Sequence, residues 1–134
     1  MRVHLIRHGE VENPDHVVYA DLPGYALSEL GRRQAALVAK KLRGSQLAVV
    51  VSSPLQRAID TATPLAAADG GELAIDQRLT EWLLGGRWAG VRWEALPTEF
   101  PGELEAYLDD PVNLDFTPET LPDLAVRMAT AITE

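Results

Sequence analysis

Three short stretches carry the side chains best suited to chemistry on an anion. Near the N-terminus, Arg7-His8-Gly9-Glu10 sets a cation, an imidazole and a glycine in a row. Farther along, Ser52-Ser53-Pro54-Leu55-Gln56-Arg57-Ala58 places a second cation where a helix is expected to begin. A helix N-terminus attracts anions through its N–H groups and dipole. A guanidinium there can bond two phosphate oxygens at once. Third, Leu79-Thr80-Glu81-Trp82 offers a carboxyl group. An imidazole in its neutral form is a nucleophile. Cations offset charge on phosphoryl oxygens, and a carboxylic acid can protonate a leaving alkoxide.

These groups need elements that bring them to one place. Val3-His4-Leu5-Ile6 reads as a short buried strand, ending at Arg7 and His8 with Gly9 letting the backbone turn or approach a ligand. A loop from Val11 to Tyr25 follows, with turn signals at Asn13-Pro14 and Pro23-Gly24. Ser28 is expected to cap a helix over Glu29–Arg43, with Leu30, Leu37, Val38 and Leu42 on its apolar face and Gly44 as the stop. Gly31 in its first turn lowers helix propensity and allows close backbone packing.

Leu47-Ala48-Val49-Val50-Val51 is apolar on both faces, as a central parallel strand requires. Ser52-Ser53-Pro54 reads as a cap with proline at the first helical position. The helix after it carries Leu55, Ala58, Ile59, Ala62, Leu65 and Ala66 as an apolar stripe, with a kink expected at Pro64 and an end at Gly70-Gly71. Leu73-Ala74-Ile75 is a third, weaker strand. Alternating strands and helices imply an α/β fold with a mainly parallel sheet and right-handed crossovers. In a sheet of that kind ligands bind at the strands' carboxyl ends, which would gather Arg7, His8 and Arg57.

The segment at about 82–120 differs, with Trp82, Trp88 and Trp93 among glycines and then proline-punctuated acidic stretches. It reads as a lid or insertion over the sheet edge, holding a short helix from about Glu103 to Leu108. Its tryptophans read as packing. Leu121, Leu124, Ala125, Met128 and Ile132 form a closing helical stripe. His4 is expected to be packed and hydrogen-bonded, His16 solvated, and no metal site is expected from the three histidines.

The chain of 134 residues fits a single domain, large enough to bury roughly two-thirds of its unfolded surface. It has no cysteine, which excludes disulfides and thiolate metal sites. The net charge of −8 argues against nucleic acid or an anionic membrane as partner, since both need clustered Lys and Arg. An anionic substrate must therefore be met by a few arginines gathered locally. With no basic-then-apolar leader visible, the cytoplasm is the expected compartment.

Four pieces of the chain resemble the histidine phosphatase superfamily, branch 1, also called phosphoglycerate-mutase-like. They are Leu5-Ile6-Arg7-His8-Gly9-Glu10, Leu27-Ser28-Glu29-Leu30-Gly31-Arg32-Arg33-Gln34-Ala35, Ser52-Ser53-Pro54-Leu55-Gln56-Arg57-Ala58-Ile59-Asp60-Thr61-Ala62 and Leu79-Thr80-Glu81, in the family's order along nearly the whole chain. The resemblance implies a three-layer sandwich with a mainly parallel sheet flanked by helices. It implies a metal-independent phosphomonoesterase needing no cofactor and acting on a small phosphorylated metabolite through a phosphohistidine. His8 matches the nucleophile, Arg7 and Arg57 the phosphate-binding arginines, Glu81 the proton donor, and Asn13 a loop residue that helps hold the phosphoryl group.

The sequence also departs from the family's pattern. Relatives have a second histidine after a later strand, in a Ser-His-Gly-like sequence, whereas the histidines here are His4, His8 and His16. The expectation is a chain that represents the first two-thirds of a member, with the C-terminal part missing and an apolar sheet edge left unpaired or filled by another chain, as in a homodimer. Val11 stands where relatives often have Thr or Ser. Asp21 stands where they often have an arginine, which points to a substrate less anionic than a phosphoglycerate. The long insertions associated with the mutases are absent, which favours a phosphatase over a phosphoglycerate-type mutase. A non-catalytic phosphate-binding module is the alternative from another class.

Overall fold

A computed structural model describes residues 2–134. The chain forms two compact units, one from residues up to Glu12 together with Pro23–Asp76, the other from Asn13–Leu22 with Gln77–Glu134.

In the first unit, α1 (Glu29–Leu42) is followed by β1 (Val50–Ser52), α2 (Gln56–Asp69) and β2 (Leu73–Ile75). The strands pair in parallel, with Val50 opposite Leu73 and Ser52 opposite Ile75. The Asp76 N–H extends the ladder to the Ser52 carbonyl at 2.9 Å. Ser28 caps α1 as expected, its hydroxyl accepting from the Gly31 N–H. At the other end of α2, Gly70 closes the helix in the left-handed conformation that glycine adopts without penalty.

The buried face of α1 is Gly31, Ala35 and Ala39, one residue per turn, and not the predicted leucine face. Leu30 and Leu37 are exposed, and Val38 and Leu42 are half-buried. The reason is the neighbour: α2 presents Ala62, Leu65 and Ala66, and small residues let two helices approach closely. Four further expectations are corrected. Val3–Ile6 carries no strand pairing and is exposed, Leu5 by 78%. A strand exists only where a partner accepts its ladder, which composition cannot supply. The strand at Leu47–Val51 is shorter and shifted to Val50–Ser52, because the ladder extends only as far as its three-residue partner. Ser53 and Pro54 lie outside α2, whose N-cap is Leu55. His4 is exposed and not packed.

What fixes the N-terminal segment is a crossing of backbones. A Cβ on Gly9 would lie 2.5 Å from the Gly31 carbonyl oxygen, and one on Gly31 only 2.0 Å from the Glu10 carbonyl oxygen. Glycine at both positions is thus a steric requirement. Around the crossing, Val11 bridges antiparallel to Leu27, and the Glu12 N–H donates to the Ala26 carbonyl at 2.9 Å.

The second unit contains single turns of 3₁₀ helix at Gln77–Leu79 and Trp93–Ala95, then α3 (Leu96–Glu99), α4 (Glu103–Asp109) and α5 (Leu121–Thr133). Its core is Val18, Ala20, Leu84, Trp88 and Leu96, with Trp82, Phe100, Tyr107 and Phe116 packed against it. Trp88 is 2% exposed and contacts Phe116 and Tyr107 at centroid distances of 5.4 and 5.8 Å. The tryptophans here are chiefly packing, as expected, although Trp93 is exposed. The Trp88 indole N–H donates to Glu103 at 2.8 Å, and Arg87 Nε donates to the same carboxylate at 2.8 Å. The hydrogen bond from Arg87, reinforced by that from Trp88, holds the Glu103 carboxyl below its ordinary pKa. Among the described residues no helix is long and apolar enough to cross a membrane.

Two outcomes are expected. Replacing Gly31 by Ala should gain about 1 kcal/mol in helix propensity. It must also displace a backbone carbonyl that cannot yield, an overpacking cost of about 1–3 kcal/mol or more. The contact at 2.0 Å decides the sign. Gly31→Ala should therefore lower the urea midpoint, although the same exchange raises it in an unobstructed helix. For Glu103 the folded pKa lies below the unfolded one, so its contribution is full above the ordinary carboxylate range and is lost as pH falls through the folded value. Thermal melts from pH 7 to pH 3 should show a smaller loss of stability in Glu103→Gln than in the wild type.

Candidate active site

In the first unit, Arg7 and His8 precede the Gly9–Gly31 crossing directly. The segment is held by hydrogen bonds to two helices in place of the predicted strand. The Glu10 N–H donates to Gln34 Oε1 at 2.8 Å, and the Ser28 N–H donates to the Glu10 carbonyl at 2.9 Å. The Ser28 hydroxyl donates to Glu10 Oε1 at 2.7 Å. One serine oxygen thus caps α1 and holds Glu10. On the other side, the Gly9 N–H donates to Thr61 Oγ1 at 3.0 Å, and that hydroxyl donates to the Arg57 carbonyl at 2.7 Å. Thr61 and Arg57 are one turn apart on α2. Two hydrogen bonds therefore join the backbone beside His8 to the turn that carries Arg57.

The His8 ring is half-buried, and its Nδ1 lies 2.7 Å from the Gly9 carbonyl oxygen. A carbonyl only accepts, so Nδ1 carries the hydrogen and Nε2 keeps its lone pair in the neutral ring. Arg57 is 1% exposed, while Arg7 is exposed. Burying a guanidinium costs free energy unless it is hydrogen-bonded, which is the setting of a built anion site more than of a solvated surface charge.

Asn13 and Glu81 belong to the second unit. The Asn13 amide closes its own loop, donating to the Val17 carbonyl at 3.0 Å and accepting from the Val17 N–H at 3.1 Å. One N–H of that amide is left for another acceptor. Glu81 is exposed, and its Oε1 accepts from the Trp82 N–H at 3.2 Å. The backbone around it is held by a pair that sequence reasoning missed. Arg127 on α5 bonds the Glu119 carboxylate through Nε and Nη2 at 2.6 and 2.8 Å, and donates from Nη1 to the carbonyls of Arg78 and Thr80, both at 2.8 Å. The hydrogen bond from Arg127 holds the Glu119 carboxyl below its usual range against the opposing effect of burial. No sequence signal marks this pair, because its partners lie on a loop and a helix brought together only by folding.

Among the described residues no three His, Asp or Glu side chains are grouped as metal ligands would be.

Thr61 offers a clean test of the join. Thr61→Val keeps the shape but leaves the buried Gly9 N–H without its acceptor, which should cost about 1–3 kcal/mol in chemical denaturation. Thr61→Ser should restore most of it.

The sequence profile of the histidine phosphatase superfamily (branch 1) matches residues 3–134. An uncharacterized protein of Mycobacterium tuberculosis is 39% identical over 140 aligned residues, covering 98% of this chain and 64% of the relative. Glucosyl-3-phosphoglycerate phosphatase of the same organism is 34% identical over 136 residues, covering 99% of this chain and 59% of the relative. The native structure of mycobacterial glucosyl-3-phosphoglycerate phosphatase superposes with a TM-score of 0.81 at 33% identity, covering 93% of this chain and 58% of that one. The chain thus spans 64% and 59% of the lengths of these two curated relatives. The fold is α/β, a parallel sheet flanked by helices, and its structural neighbours are phosphoglycerate-mutase-like. A profile match over nearly every residue, with the Arg7-His8-Gly9-Glu10 and Arg57 segments tied together by Thr61, shows that the chain belongs to the histidine phosphatase superfamily, branch 1.

Proposed function

We propose that this protein is a phosphatase that hydrolyses a small phosphomonoester of an alcohol through a phosphohistidine on His8. The observation that carries the reading is the 2.7 Å hydrogen bond from His8 Nδ1–H to the Gly9 carbonyl. It orients the ring and sets the tautomer in which Nε2 is the nitrogen that attacks phosphorus. In the first step the Nε2–P bond forms and the P–O bond to the alcohol breaks. Glu81, assigned as the donor by the family's pattern, gives its proton to the departing oxygen. In the second step water attacks phosphorus, the N–P bond breaks, and Glu81 recovers a proton from that water. Inorganic phosphate leaves. Arg7 and Arg57 offset the charge on the equatorial oxygens, where positioning and electrostatics supply most of the catalysis. The remaining Asn13 N–H adds a neutral donor.

The named relative is a glucosyl-3-phosphoglycerate phosphatase. Asp21 repels a second anionic group where an arginine would attract one, so the preferred substrate here is a phosphomonoester with few other negative charges.

The expected outcome is acid-labile, base-stable phosphate on His8 after quenching turnover of p-nitrophenyl phosphate, read by peptide mass spectrometry. His8→Ala should remove the label and lower kcat by at least about 10³-fold. Wild-type protein that binds inorganic phosphate yet neither turns over nor takes the label would be a phosphate-binding module, and the enzyme reading would fall.

A further inference from the structure

Glu81 sits on backbone with no regular secondary structure, from Thr80 to Leu84, after a single 3₁₀ turn. A general acid must be held within a fraction of an ångström of its productive position, and an irregular segment does not do that unaided. Its support comes from one guanidinium. Arg127 spends Nε and one Nη2 hydrogen on Glu119 and two Nη1 hydrogens on the carbonyls of Arg78 and Thr80. Its remaining Nη2 hydrogen points to the Glu81 carbonyl in a long contact of 3.5 Å. All five donors of the guanidinium are thereby used. Glu119 completes the clamp: its Oε2 accepts from the Leu83 N–H at 3.0 Å, and its backbone carbonyl accepts from the Trp82 indole at 2.8 Å. Residues on both sides of Glu81 are therefore tied to this one pair, while the Glu81 side chain stays exposed.

The pair is poorly explained as a device for stability. Its side chains are only 19% and 11% exposed, so both charges have lost much of their hydration. A buried ion pair of that kind is often no better for stability than an apolar pair of the same volume. What it does supply is a single conformation for the carbonyls of Arg78, Thr80 and Glu81. The mechanism above uses neither residue.

We propose that Arg127 and Glu119 are positioning residues for Glu81, fixing the backbone from which its carboxyl reaches the leaving oxygen. This rests on the reading of Glu81 as the proton donor. A lysine at 127 keeps the charge but has three donors and no planar fork, so the clamp depends on arginine specifically.

Proton donation matters for a poor leaving group and is nearly irrelevant for a good one. The test compares single-turnover formation of the phosphohistidine from glycerol phosphate and from 2,4-dinitrophenyl phosphate. Glu81→Gln should lower the rate with the alkyl ester by about 10²–10³-fold and that with the dinitrophenyl ester less than about threefold. Arg127→Lys and Glu119→Gln should show the same selectivity at about 10–100-fold, with KM little changed. Glu119→Gln is isosteric and carries the test if Arg127→Lys melts below the assay temperature. If Glu81→Gln discriminates between the esters but both clamp variants lose rate equally on the two, the positioning role is overturned and the donor reading stands. If Glu81→Gln itself treats the two esters alike, the donor reading falls and this proposal with it.

Discussion

The contact on which the first unit depends is the passage of the Gly9–Glu10 backbone across the first turn of α1. There is no room in it for a side chain on either strand of the crossing. A glycine inside a helix costs about 1 kcal/mol relative to alanine. Here that cost is offset by what the close approach permits. Glu10 reaches Ser28 and Gln34, and Gly9 reaches Thr61. Each such bond contributes about 0.5–1.5 kcal/mol net, so three or four outweigh the loss. The result is that His8 is placed by two helices at once. The lack of strand pairing at Val3–Ile6 leaves this anchorage intact, because the anchors lie after His8 and not before it.

The second unit solves a similar problem by other means. It has no sheet ladder and carries its candidate acid on a loop. Binding and catalytic residues often lie on loops positioned by a more rigid scaffold. The scaffold here is an aromatic core around Trp88 and the pair of Glu119 with Arg127 of α5. Trp88 adopts a left-handed backbone conformation with φ of 65°, unusual for a bulky side chain. Its nearly complete burial and its indole bond to Glu103 offset that strain. Polar anchors and aromatic packing thus hold a segment that propensity alone leaves undefined.

The electrostatic economy of the chain is consistent with its family. A net charge of −8 repels anions at long range, and attraction is concentrated in a few guanidinium groups. Arg57 sits buried in the first turn of α2, where the helix dipole acts in the same direction. Arg87 and Arg127 are engaged by Glu103 and Glu119 and serve the fold of the second unit.

Much of this was legible in the letters. The Ser28 cap, the extent of α1, the presence of α2 and its stop at Gly70, the strand at Leu73–Ile75, the helix beginning at Glu103 and the closing helix all follow from local rules, which act over a few residues and survive in any context. Four motifs in order were enough to point to the family. The letters misjudged the buried face of α1, because leucines outrank alanines in hydropathy while close packing against α2 favours the small residues. They assigned a strand to Val3–Ile6, because β-branched composition is local but pairing needs a partner far away in sequence. They were silent on Thr61 and on Arg127, whose bonds join positions separated by roughly fifty residues. Sequence by itself determined which groups are present and which segments coil. Tertiary structure alone decided which backbone atoms those groups hold, since a hydrogen bond between distant residues depends on where both chains run, and no local pattern encodes that.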